Sequence, residues 1–165
     1  MISKTAAVVS LTIAASLAGC ASMTPPVRPA YTGTDTVNSA SKSQLVGIWT
    51  VTDLNPYPES GPQSTTIEYR EDGTVHGMII PQGESAEVMG NMRFELDGQW
   101  TLTGDTVSHQ DIQMNSAGDN PMASLIGKMV NSRPGISGQA NIYELSANRM
   151  VMVGSDGAAM EYVRQ

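Results

Sequence analysis

Apolar and polar residues alternate through most of the chain beyond residue 44, and the breaks in that alternation divide it into short strands. Leu45-Val46-Gly47-Ile48-Trp49-Thr50-Val51-Thr52 is dense in β-branched and aromatic residues, and Asn55-Pro56-Tyr57-Pro58 with Ser60-Gly61-Pro62 then interrupts it. This is a first strand followed by a long loop. Thr65 to Arg70 alternates, Glu71-Asp72-Gly73 turns, and Thr74 to Ile80 continues, so a hairpin is expected. Asp-Gly supplies the positive φ angles that tight hairpins require. Met92, Phe94 and Leu96 fall on one face and Arg93, Glu95 and Asp97 on the other, the signature of a half-buried antiparallel strand. Gln99 to Thr103, a Gly104-Asp105 turn and Thr106 to Met114 add two more strands, with Trp100 and Leu102 expected to face inward.

The period changes at Asn120. Apolar positions from Met122 to Val130 recur at helical spacing behind an Asn120 cap and a first-turn Pro121, which predicts one short helix. After Pro134-Gly135 the strand period returns at Gln139 to Leu145, Arg149 to Val153 and Ala158 to Arg164. About nine closely spaced strands and one helix predict an all-β, mainly antiparallel barrel or sandwich.

The first 43 residues follow a different rule. Met1 to Lys4 carry one positive side chain, and Thr5 to Leu17 run uncharged through small and apolar residues. That profile is a signal peptide over residues 1–19, too short for the roughly 20 residues of a spanning helix. Leu17-Ala18-Gly19-Cys20 resembles the lipobox of bacterial lipoproteins, which implies cleavage between Gly19 and Cys20 and a lipid thioether on Cys20. Cys20 is the only cysteine, so it has no disulfide partner within the chain. By the sorting pattern of that family, Ala21 in place of an aspartate implies an outer-membrane address, with the domain facing the periplasm. Residues 21–43 are rich in Ser, Thr, Pro, Asn and Ala and offer little to bury, so residues 20–43 are expected to be a lipidated flexible tether and residues 44–165 the folded domain.

Charge narrows the partners. The chain has nine basic and sixteen acidic residues; losing Lys4 with the leader leaves eight against sixteen, a balance of −8. Such a surface repels phosphate backbones and anionic head groups, which excludes nucleic acid as a partner and leaves the lipid as the expected link to the membrane.

Gly47-Ile48-Trp49 on the first strand resembles the Gly-x-Trp signature of lipocalins, and Arg164 on the last strand stands where that family places a basic side chain over the tryptophan. The resemblance implies a small up-and-down β-barrel in which Gly47, Trp49 and Arg164 close one end. It departs from the family in two respects: the second signature, on a later loop, is missing, and the helix near Pro121 interrupts the sheet instead of following the last strand.

Little points to catalysis. His76 and His109 lack the spacing of a zinc ligand set, no Gly-x-Ser-x-Gly elbow is present, and the carboxylates Glu68, Glu71, Asp97 and Asp105 sit beside turns. Eleven methionines raise copper(I), but only Met89 and Met92 are clustered, so adaptable packing or the lining of an apolar cavity is the expected use. No metal, cofactor or reaction is expected. The domain is expected to bind a small apolar or amphipathic ligand or to support the cell envelope, with Met92, Phe94, Leu96, Trp100 and Leu102 as candidate lining. The alternative is a protein-binding module, a protease inhibitor or assembly accessory, acting through the loops at residues 55–64 and 83–90.

Overall fold

The computed structural model describes residues 27–165 except 59, 84–85, 87–91 and 133–136. The leader, Gly19, Cys20, the turn at residues 134–135, Met89 and most of the loop at 83–90 lie outside the described residues. Eight strands form the wall: β1 (Gly47–Asp53), β2 (Gln63–Tyr69), β3 (Thr74–Pro81), β4 (Phe94–Thr103), β5 (Thr106–Ser116), β6 (Gly138–Leu145), β7 (Arg149–Gly154) and β8 (Ala159–Arg164). Each pairs antiparallel with the next, and β8 pairs back onto β1, so the expected up-and-down barrel is closed.

The strands number eight because the segments expected at Met92–Gly98 and Gln99–Thr103 are one continuous strand, β4. The β4–β5 register slips between Asp97 and Gln99, where β5 carries an extra residue and Asp111 takes a φ of 52°. The bulge brings β5 against Gly98, where a Cβ would sit 2.9 Å from the Gln110 carbonyl oxygen and collide with Ile112. A glycine in mid-strand here allows a close backbone approach and does not end the strand.

Among the described residues α1 (Lys42–Leu45) before β1 and α2 (Pro121–Asn131) between β5 and β6 flank the wall. The Asn120 side chain accepts from the Met122 and Ala123 amides, as the capping pattern predicts. β5 pairs with β6 only from Thr106 to His109, and α2 packs along the rest of β5. There the Asn131 carboxamide accepts from the Met114 N–H at 2.7 Å and donates to the Met114 C=O at 2.9 Å, replacing both bonds of a missing strand neighbour.

The core fills one end of the barrel. Trp49, Tyr69, Trp100, Val107, Ile142, Met150 and Met152 are almost wholly buried there, and Leu45 of α1 closes it from outside. At the other end Met92 and Phe94 form a smaller cluster with Ala123 of α2, against Ile79, Met114 and Ile126.

The expected flexible tether differs from what is described. From Arg28 to Ser41 the chain is laid against the barrel: the Thr36 amide donates to the Tyr143 carbonyl, the Ala40 amide to the Gly104 carbonyl, and Val37 and Ala40 pack on the core. Backbone hydrogen bonds and an anchored arginine hold this strap, although its composition offers few large apolar side chains to bury.

Candidate functional site

Cross-strand register stacks the inward side chains in rows. Val51, Thr65 and Ile79 are successive partners across β1, β2 and β3, and Trp49, Ile67 and Gly77 form the next row toward the filled end. On β8, Tyr162 and Met160 stand opposite Val51 and Asp53. Val51, Asp53, Thr65, Ile67, Ile79, Met160 and Tyr162 line a cleft of about 640 Å³ entered between the β1 end and the loop ahead of β2, with Pro56 and residues 60–63 at its rim. That volume lies within the range of small-molecule sites, and apolar walls carrying a few polar groups are their usual lining.

The polar groups on this lining are few. Thr65 is 9% exposed, and its Oγ1 is shut off from solvent with no hydrogen-bond partner among the described residues. An unpaired buried hydroxyl costs about 1–3 kcal/mol. Tyr162 faces Tyr69 with ring centroids 6.4 Å apart, and burial raises the pKa of both phenols, so both stay neutral. Behind them the Tyr69 hydroxyl meets His109 Nε2 at 2.9 Å, and burial lowers the histidine's pKa. A neutral imidazole accepting from the phenol satisfies both groups. Trp100 packs edge-on against Tyr69 at 5.0 Å within the filled end of the barrel.

A second constellation guards the rim. Arg28, on the strap, holds both Asp53 oxygens through Nη1 at 2.8 and 2.7 Å and stacks over the Tyr57 ring at 4.6 Å. Asn55, 5% exposed, donates to the Pro29 and Gly157 carbonyls and accepts from the Ala159 amide. The strap, the β1–β2 loop and the start of β8 are thereby tied together at the mouth. Nothing local in the sequence marks Arg28 for this task; its partners lie 25 and 27 residues away.

Of the sequence-derived candidates, Gly47, Trp49 and Arg164 come together. Arg164 is the direct cross-strand partner of Trp49, with its guanidinium carbon 4.1 Å from the ring centroid. It donates to the carbonyls of Gln44, Val46 and Ala147, while Trp49 Nε1 donates to the Leu45 carbonyl at 2.7 Å. Gly47 has a φ of 137°, and any Cβ there would run into Arg164 Nη1.

The candidate lining is a correction. None of Met92, Phe94, Leu96, Trp100 and Leu102 lines the cleft. α2 covers Met92 and Phe94, Leu96 packs toward Gly77, and Trp100 and Leu102 belong to the filled end. Inward direction was legible from alternation; which inward residues remain uncovered depends on α2 and on the bulk of Trp100.

His76 Nδ1 lies 2.8 Å from Asp97 Oδ1 on the outer surface, while His109 has a hydroxyl and no carboxylate. Among the described residues, neither histidine combines an acid with a hydroxyl, and no three His, Cys, Asp or Glu residues converge as a metal set.

No family model and no curated protein sequence matches the chain. Solved structures similar to it include a lipocalin-like protein from Bacteroides uniformis, 12% identical over 74% of this chain and 99% of that one, with a TM-score of 0.43. A protein from Bacteroides eggerthii is 15% identical over 73% and 99%, at 0.43. One from Burkholderia xenovorans, determined by NMR, is 14% identical over 83% and 94%, at 0.44. The barrel itself rests on the strand pairing of this chain.

Proposed function

We propose that this barrel carries a small apolar or amphipathic molecule in the cleft at the Asp53 end of β1, without performing a reaction on it. The observation that carries this reading is the cleft: apolar walls from Val51, Ile67, Ile79 and Met160 surround one orphaned hydroxyl, on Thr65. A protein interior seldom leaves such a hydroxyl unpaired unless a ligand or water completes it. The site offers no nucleophile, acid–base pair or metal set arranged around the cleft among the described residues.

The proposal extends to place. The Leu17-Ala18-Gly19-Cys20 motif supports a lipid anchor on Cys20 that holds the barrel at the outer membrane, on its periplasmic side. Several acyl chains at about 0.8 kcal/mol per buried methylene would make that attachment effectively permanent. Between Cys20 and the strap contact at Arg28 lie few residues, so the carrier would work close to the bilayer surface.

Native mass spectrometry of the protein taken from its own envelope tests the carrier reading. The expected result is an added small mass that disappears on denaturation; a bare mass under both conditions, from protein never exposed to detergent, counts against it. Labelling with a radioactive fatty acid tests the anchor: the label should be lost in Cys20→Ser, and labelling that persists refutes the anchor.

A further inference from the structure

We propose that the cleft selects an uncharged amphiphile, an alkyl body with a single hydroxyl or carbonyl head, over the carboxylate of equal chain length; this rests on the carrier reading above. The group that meets the head is Thr65. Its side chain lines the cleft between its cross-strand partners Val51 and Ile79, and its Oγ1 is buried without a partner among the described residues. A hydroxyl both donates and accepts, so a ligand alcohol or carbonyl completes it without bringing charge into an apolar wall. Tyr162 presents a second neutral group on the same wall.

A carboxylate would fare worse for two reasons. It would be stripped of water against Val51, Ile67 and Ile79, and desolvating a charge costs far more than desolvating a hydroxyl. Among the described lining residues it would also find no cation. The charged side chain there is Asp53, and the guanidinium at the rim, Arg28, holds that carboxylate through Nη1 at 2.7 and 2.8 Å, with its Nε buried away from solvent. A cationic ligand would in turn have to displace Arg28 from Asp53.

The test uses the full chain and the neutral fluorophore 1-aminoanthracene, displaced by 1-decanol, decanoate or decylammonium at about pH 8, where the acid and the amine are charged. Decanol is expected to displace it at about one-tenth the concentration of decanoate or below. Decanol leaves water more readily in any case, so the contact with the head group is read separately, as the decanol affinity lost in a variant. In Thr65→Val, which keeps the shape and removes the hydroxyl, displacement should need about fivefold more decanol with fluorophore affinity retained. Thr65→Ser should restore it. Decanoate or decylammonium equalling decanol, or decanol displacement indifferent to Thr65→Val, overturns the head-group assignment and leaves the carrier reading standing. Failure of both the fluorophore and decanol to bind overturns both.

Discussion

Arg164 lies across the face of Trp49, and the same guanidinium ties together three backbone carbonyls from two separate segments, Gln44 and Val46 ahead of β1 and Ala147 before β7. One planar group thus joins the start of the wall to the turn between β6 and β7 and covers a tryptophan that is fully buried. Lysine could retain the charge but not the fork that reaches three acceptors. Arg164→Lys should therefore lower the unfolding free energy by about 2 kcal/mol, read as a shifted urea midpoint at unchanged slope. Gly47→Ala should have a similar cost, about 2 kcal/mol, from the strained φ and the collision with Arg164. A midpoint within error of wild type for either variant would remove this end from the account of stability.

Arg28→Ala should release the strap. The Arg28 and Asp53 side chains are 13% and 22% exposed, so their ion pair is only partly screened. The expected loss is about 1–2 kcal/mol, with Asp53→Ala adding little once Arg28 is gone. Hydrogen exchange locates the effect: the amides of Thr36 and Ala40, which donate to the barrel, should lose protection while those of β6 keep it. Unchanged exchange at both amides would mean that the backbone bonds alone hold the strap.

The division between what was and was not legible in the sequence follows from the range of each interaction. Strands and turns are local: the period of two and the pair Asp72-Gly73 place β2 and β3 to within a few residues. Closure of β8 onto β1 has no local signal, and only the Gly47-Trp49-Arg164 resemblance pointed to it. The helix period was likewise readable, but not its inward side: Ala123 faces the barrel while the larger Met122, Leu125 and Met129 are exposed. For Thr65 the direction is legible but not the surroundings: the period of two puts it on the face of Ile67 and Tyr69, whereas Val51 and Ile79, the apolar partners beside it, come from other strands. The strap was misread because composition measures apolar burial and says nothing of an arginine whose carboxylate is 25 residues away.

His109 should make stability depend on pH just below neutrality. Burial holds its folded pKa below the ordinary value, whereas the unfolded imidazole protonates near about 6.5. Below that value the unfolded chain binds more protons, so stability should fall as pH drops from about 6.5 to 5. Glu68, held low by its hydrogen bond from Arg70, and Asp72, held low by hydrogen bonds from Thr74, add their losses at more acid pH. The urea midpoint of His109→Gln should be flatter than wild type across the upper window. Parallel slopes for the two proteins would assign the decline to other groups.

Asn131→Ala should detach the last turn of α2 from β5. Both Met114 backbone groups lose their partners at once, a cost of about 1–3 kcal/mol, and exchange of the Met114 amide should accelerate. Asn131→Asp keeps the acceptor for the Met114 N–H but faces the Met114 carbonyl with a second oxygen, so it should rescue little of the loss. Wild-type exchange at Met114 in both variants would show that packing alone seats the helix.

That carboxamide has a consequence for the protein in a crowded compartment. Where β5 runs past the end of its pairing with β6, its backbone would otherwise be an open sheet edge, the template on which a second chain adds a strand. One asparagine side chain and a helix laid over β5 occupy that edge. The barrel is thus insulated from edge-to-edge aggregation by a side-chain amide that imitates a missing strand.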